Sequence, residues 1–253
     1  MNASVYTVKE QMKEAGAAAA AQKLIETMTQ TGEARLLLST GASQFELLDA
    51  LIKKEIDWSK VTVFHLDEYI GLSETHPASF RKYLKERFAV NYKQFFFING
   101  DDDIERQIKL LSEAIREKPI DIGLIGIGEN AHIAFNDPPA DFETKEAYHV
   151  VSLTQSCKQQ QVGEGWFGSL DEVPKQAISI TPYQIMLCKR IVSFVPDERK
   201  ARAIFDTLSC ERPTPLIPAS LLKNHKDCHL ILDEGSSSLL DKNLREKNKV
   251  TVY

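Results

Sequence analysis

Ala34-Arg35-Leu36-Leu37-Leu38-Ser39, followed by Thr40-Gly41-Ala42-Ser43, is the stretch on which the fold turns. A continuous apolar run bounded by polar residues and a glycine is the pattern of a strand buried on both faces, as in a parallel sheet. Upstream, Thr7–Gln30 reads as one long helix. The alanines at Ala17–Ala21 are strong helix formers and small enough for close packing. Downstream, Gln44–Lys54 places Phe45, Leu47, Leu48, Leu51 and Ile52 at a helical period. The alternation then repeats. Val61–Leu66, Phe95–Ile98, Ile120–Ile127, Val150–Leu153, Ile191–Val195 and His229–Leu232 read as strands. Ala78–Phe88, entered through Pro77, Asp102–Glu117 and Asp197–Leu208 read as helices. This rhythm predicts an α/β fold with a mostly parallel sheet. No Gly/Ser-rich linker divides it, so residues 1–253 are expected to form a single α/β domain. Asn136–Glu146 and Gln155–Pro174 read as irregular, and the segment 156–173 is the expected lid.

Composition narrows the function classes. With 253 residues and 43% hydrophobic content, the chain can bury a sizeable core, which excludes a disordered tail or a small disulfide scaffold. Acids and bases are mixed, with a net charge of −5, so nucleic acid is not an expected partner. No apolar run is long enough for a transmembrane helix, and no basic flank precedes an apolar stretch at the start. Cys157, Cys188, Cys210 and Cys228 form no C-x-x-C pair. Four reduced thiols in a cytoplasmic enzyme are the expectation, without a membrane partner.

Ligands of open parallel sheets bind at the carboxyl ends of the strands. After the first strand, Thr40-Gly41-Ala42-Ser43 opens a helix whose free N–H groups suit an anion, or serves only as a capping turn. After the second come Asp67 and Glu68, adjacent carboxylates suited to acid–base work, or a solvated pair. Gly126-Ile127-Gly128-Glu129-Asn130-Ala131 satisfies a dinucleotide fingerprint, but Pro138 and Pro139 interrupt the helix that should follow. The glycines more plausibly admit a ligand to the backbone. His132 beside them can titrate near neutrality, and Asp137 could orient it. Lys200 or Arg202, at the start of a late helix, could meet a phosphate. His65, Asp67, Glu68 and His76 match no ligand spacing, so no metal is expected. Trp166-Phe167 lies where a lid could use it.

Together and in this order, these pieces resemble the glucosamine-6-phosphate deaminase (glucosamine-6-phosphate isomerase) family, whose wider relatives include 6-phosphogluconolactonases. The resemblance is carried by Ser39-Thr40-Gly41-Ala42-Ser43, by Phe64-His65-Leu66-Asp67-Glu68-Tyr69-Ile70-Gly71-Leu72 with His76-Pro77-Ala78-Ser79-Phe80, by Gly126 to Pro138, and by the Lys200 helix start. It runs from about Ala15 to Glu234. Asp-Glu-Tyr-x-Gly-Leu and His-Ile-Ala-Phe-Asn are specific to the deaminase side. It implies a three-layer α/β/α sandwich. It also implies conversion of glucosamine 6-phosphate and water to fructose 6-phosphate and ammonia, with no cofactor. Asp67 matches the proton-transfer carboxylate and His132 the ring-opening histidine. Asn130 and Asp137 match the two residues that flank and tune it. Thr40, Gly41, Ala42, Ser43 and Lys200 match the phosphate site, with Glu68 and Gly128 as further binding candidates. The implied partner is a small phosphorylated amino sugar, and a homo-oligomer is compatible with the resemblance.

The chain departs from the family pattern in three places. Asn130 stands where an aspartate is usual, which should lower the histidine's affinity for a proton. Asp137 stands where a glutamate is usual and is shorter by a methylene. No arginine lies in the lid between Ser152 and Lys175, where Lys158 and Gln159-Gln160-Gln161 occupy the region. Three alternatives follow: deamination of an epimer such as galactosamine 6-phosphate, lactone hydrolysis of the 6-phosphogluconolactonase type, and a non-catalytic sugar-phosphate sensor.

Overall fold

The apolar run at 34–38 is buried at every position because both faces of its sheet are covered. The computed structural model describes residues 1–253. Its strands are β1 (Asn2–Tyr6), β2 (Ala34–Leu38), β3 (Val61–His65), β4 (Asp67–Tyr69), β5 (Gln94–Phe96), β6 (Ile122–Leu124), β7 (Tyr148–Ser152), β8 (Gln176–Ile180), β9 (Arg190–Val195), β10 (Cys228–Asp233) and β11 (Thr251–Val252). Its helices are α1 (Lys9–Thr31), α2 (Phe45–Leu51), α3 (Phe80–Arg87), α4 (Ile104–Arg116), α5 (Gln155–Gly163), α6 (Pro182–Met186), α7 (Ala201–Ser209) and α8 (Lys242–Lys247).

Eight strands form one sheet in the order β11-β1-β10-β9-β6-β2-β3-β5, with every pairing parallel. Successive residues of a strand face opposite ways, and each face has its own core. Leu36, Leu38, Val63, Phe194 and Ile231 pack with residues of α1, α2 and α3. Leu37, Phe64, Val195 and Leu230 pack with residues of α4 and α7. This is the three-layer α/β/α arrangement. The alanines of α1 do what their size suggests: Ala17, Ala20 and Ala21 are buried. At Gly16 an added Cβ would come within 2.8 Å of Leu47 Cδ1 on α2. Arg35 interrupts the apolar run without exposing itself. Its guanidinium donates to the carbonyls of Ala114 and Ile115 in the last turn of α4 and lies 4.8 Å from the Phe64 ring centroid. It thereby satisfies helix-end acceptors that have no partner within α4.

From β2 the chain runs outward through β3 to β5, then returns to the other side of β2 as β6 and proceeds to β9 and β10. The sheet's topological switch therefore lies between β2 and β6, where ligands of such sheets bind. A second, antiparallel sheet of order β4-β8-β7 stands beyond it. The strand expected at Val150–Leu153 belongs there rather than to the parallel sheet. β8, whose sequence mixes polar and apolar residues, and β1, which pairs with β10 and β11, were not anticipated.

The expectation of an irregular Gln155–Pro174 is corrected over its first half, which is α5. Its sequence is polar and buries only Cys157 and Gln161, so it lacks the apolar period by which a helix is read. It is started instead by Thr154, whose hydroxyl accepts from Cys157 N–H at 3.2 Å. The charged tail forms α8, which buries nothing, and then β11. All four cysteines are free thiols. No helix is long and apolar enough to cross a membrane.

Candidate active site

The loops after β2, β3, β6 and β9 meet at the switch point around a cavity of about 70 Å³. Thr40, Gly41 and Ser43 line it from after β2, Asp67 from the start of β4, Gly128 and His132 from after β6, and Lys200 from after β9. Gln160, Gln161 and Glu164 close it from the segment joining β7 to β8. Of the residues singled out in the sequence, the fold brings these seven together.

Asp67 is buried among Leu66, Phe135 and Thr40. Burial, reinforced by the negative charge of Glu68, pushes its carboxyl up to about 8, although the Phe135 N–H and the Thr40 hydroxyl favour the ionised form. Glu68 does not line the cavity. As the next residue of the strand it faces the other way. There it receives Ser79 Oγ (3.0 Å) and the backbone N–H groups of Tyr69 (3.0 Å), Phe80 (3.2 Å) and Arg81 (2.8 Å). It is a buried acceptor at the N-terminus of α3, and its place as a substrate contact is corrected accordingly. His65 is equally structural. Its Nε2 accepts from Ile98 N–H at 2.7 Å, and burial lowers its pKa to about 3. No group of three or more His, Cys, Asp or Glu residues is arranged to hold a metal.

His132 sits on a loop that returns sharply on itself. Ala131 (φ 65°) and Ala134 (φ 49°) both adopt left-handed backbone, a strained choice for alanine that costs roughly 1 kcal/mol or more each. The fold-back lays the imidazole on Gly128. A Cβ there would lie 2.2 Å from Cε1 and Nε2 of the ring. Gly128 thus makes room for the histidine while also lining the cavity. Nδ1 lies 2.7 Å from Asn130 Oδ1 and 3.1 Å from Asp137 Oδ1, two acceptors that assign the proton to Nδ1. Nε2 has no protein partner. Asn130 also donates Nδ2 to Asp137 Oδ1 (2.9 Å) and Ser156 Oγ (3.2 Å). Burial would raise the Asp137 carboxyl, but hydrogen bonds from His132, Asn130 and Thr154 prevail and hold it at about 2. Asp137 therefore remains a carboxylate, while Asn130 keeps the geometry without adding charge. Both stand behind the imidazole rather than in the cavity wall.

At the other end, Gly41 adopts φ 99°, a backbone that favours glycine. Neither Thr40 nor Ser43 caps the helical turn that follows, which removes the capping alternative and leaves their groups facing the cavity. Ala42 is beside this loop but outside the cavity wall. Lys200 is 3% exposed and makes no ion pair, and burial lowers its pKa. Arg202 is remote and pairs with Asp206 at 2.9 Å. Lys158 lines a separate groove with Leu170 and Asp171.

Several lining groups had no legible role. Ser39 carries a buried Oγ without a hydrogen-bond partner. Gln161 accepts from Tyr69 Oη at 2.7 Å, and Gln160 Oε1 accepts from Glu129 N–H at 3.1 Å, docking α5 on the glycine loop. Phe167 is buried edge-on to Tyr69 at 5.5 Å, and Trp166 meets Phe45 edge-on at 6.3 Å. The glutamine run and Trp166-Phe167 were the only signals, and composition alone does not say which way they face.

The profile of the family described as glucosamine-6-phosphate isomerases/6-phosphogluconolactonase matches residues 7–231. The chain is 36% identical over 222 residues to a glucosamine-6-phosphate deaminase of Lactobacillus delbrueckii subsp. bulgaricus, covering 86% of this chain and 92% of that one. It superposes on the solved structure of a monomeric glucosamine-6-phosphate deaminase with a TM-score of 0.84 and 28% identity, over 94% of this chain and all of that one. A 6-phosphogluconolactonase structure from Neisseria gonorrhoeae shares the fold alone, at a TM-score of 0.71 and 21% identity, over 92% of this chain and 100% of that one.

Proposed function

The chain belongs to the family of glucosamine-6-phosphate isomerases and 6-phosphogluconolactonases, and we propose that it is a deaminase within it, converting glucosamine 6-phosphate and water to fructose 6-phosphate and ammonia. The observation that carries this reading is the convergence of a buried carboxyl, Asp67, and an oriented imidazole, His132, on one cavity that Lys200 and the Thr40–Ser43 loop also line.

The chemistry divides among these groups. Thr40, Gly41, Ser43 and Lys200 receive the phosphate, so that binding energy from the non-reacting end orients the sugar. His132, with Nδ1 held as a donor by Asn130 and Asp137, takes the anomeric hydroxyl proton on Nε2 and returns it to the ring oxygen, opening the pyranose. Asp67 keeps its proton near neutral pH while the site is empty. The ammonium group of the sugar favours its ionised form. The carboxylate then removes the proton from carbon 2 and delivers it to carbon 1, while a proton of the ammonium group passes to the aldehyde oxygen, leaving a protonated imine at carbon 2. Water adds to that imine, the carbon–nitrogen bond breaks, and ammonia leaves. Every step uses acid–base groups of the chain. The segment 156–173, with Gln160, Gln161 and Glu164 on the cavity, serves as the lid that excludes bulk water.

The test is ammonia release from glucosamine 6-phosphate, with galactosamine 6-phosphate in parallel and Asp67→Asn as control. Release that the substitution abolishes supports the assignment, and the faster sugar identifies the epimer. Absence of release from either sugar, with hydrolysis of 6-phosphogluconolactone above background, would transfer the protein to the lactonase side.

A further inference from the structure

The lid brings a negative charge to the end of the cavity where an anion is to bind. Glu164 follows α5 directly and lines the cavity together with Lys200 and Ser43. The same three residues line the adjoining groove on the outer side of that loop. Glu164 is not free to swing away while the lid is docked. Its Oε1 accepts from Gln160 Nε2 at 2.8 Å and its Oε2 from Trp166 Nε1 at 3.1 Å. Gln160 is itself held on Glu129 N–H, and Trp166 on Phe45. Lys200 has no ion-pair partner within salt-bridge distance, and Glu164 is the foremost negative charge acting on it. The cavity is half open, with about 70 Å³ of accessible space beneath the docked lid.

We infer that Glu164 is a specificity-determining residue of the phosphate subsite: it supplies the anion opposite Lys200 when the site is empty, and an incoming phosphate must displace it and the lid it is fixed to. The inference rests on the phosphate subsite assigned above. A carboxylate beside a phosphate dianion repels it, and a neutral replacement removes that repulsion while Lys200 remains. The device selects for ligands whose remaining contacts outweigh the repulsion. Inorganic phosphate has few such contacts, and an intact sugar phosphate has many.

The probe is inorganic phosphate, titrated calorimetrically into the full chain and into Glu164→Gln and Glu164→Ala, each checked by thermal melting. Both substitutions are expected to tighten phosphate several-fold, as removal of one like charge from the cavity wall implies. Lys200→Ala in either background is expected to abolish that gain, which ties it to this subsite. The KM for glucosamine 6-phosphate should fall in parallel, by a smaller factor. Phosphate affinity unchanged within twofold, or weakened, in both folded variants would overturn the inference. Tightened phosphate in a protein that releases no ammonia from any hexosamine phosphate would leave the inference standing and overturn the deaminase reading instead.

Discussion

Gly128→Ala should remove most of the activity and little of the fold. The added Cβ would lie 2.2 Å from Cε1 and Nε2 of His132, and 2.5 Å from Nδ1. Ordinary contact begins near 3.4 Å, so the ring must withdraw by about 1.2 Å. The withdrawal cannot be a free rotation, because Nδ1 is tied to Asn130 Oδ1 at 2.7 Å and Asp137 Oδ1 at 3.1 Å. Either those bonds stretch or the strained turn at Ala131 opens. A displacement of about 1 Å at a group that transfers protons costs on the order of 10²-fold, within the 10²–10⁴ that such a group contributes. Steady-state ammonia release should therefore show kcat lowered by about 10² or more. KM should change little, because the phosphate end is untouched. Thermal melting should shift by only a few degrees, since the clash falls on one side chain. A Gly128→Ala protein that keeps half of the parent kcat would refute both the contact and the role given to His132.

Asp67→Asn should lower kcat by about 10³-fold. Its effect on stability has a defined sign. Because the folded carboxyl is raised to about 8 from an ordinary 3.8, the folded chain holds a proton that the unfolded chain has lost. Stability therefore falls as pH rises from about 4 to 8, and the melting temperature of the Asn variant should fall less steeply over that window. Asp137→Asn should lower kcat by about 10²-fold without raising KM, by removing the negative charge that steadies the imidazole when it takes a proton. Asp137 is held at about 2, so its contribution to stability is present above its ordinary pKa and lost on acidification. Acid unfolding of the parent below about pH 4 should be less steep in the variant. Glu68→Gln should act mainly on stability, and on the site only by removing the charge that helps raise Asp67. Loss of charge-assisted bonds at the start of α3 should cost about 2–3 kcal/mol, lowering the melting temperature on the order of 5–10 °C, with KM unchanged in the folded protein.

The parallel sheet was legible because its strands are short, mainly apolar runs bounded by polar residues, as at Leu36–Leu38 and Val61–Phe64. The antiparallel sheet was not, because β8 spells Gln-Ala-Ile-Ser-Ile, which carries no clear period by itself. Asp67 and Glu68 show how adjacency in sequence misleads at a site. A strand sends neighbours to opposite faces, and only one of two consecutive carboxylates reaches the cavity. Gly128 was visible as a residue of consequence, but its reason depends on His132 folding back through a left-handed alanine, which no local rule predicts. The polar α5 fails the same kind of reading. Helices are recognised by the face they bury, and a helix that covers a polar cavity has glutamines there.

The lid leaves the small sheet at Ser152 and re-enters it at Gln176, and these two residues are register partners. Its ends are thus pinned side by side on strands that pair, through β8, with the strand bearing Asp67. The cost of closing such a loop grows only slowly with its length. Between its anchoring contacts the segment can therefore be lengthened or shortened without displacing Asp67. Mutability in this architecture is divided: the loops at the sheet ends are held by mutual contact, whereas the cover is tied to them at a few points, Thr154 on Asp137 and Gln160 on Glu129 N–H among them. A graft of the segment 153–175 from a relative with a different lid sequence is the natural route to altering which sugar phosphate the scaffold accepts.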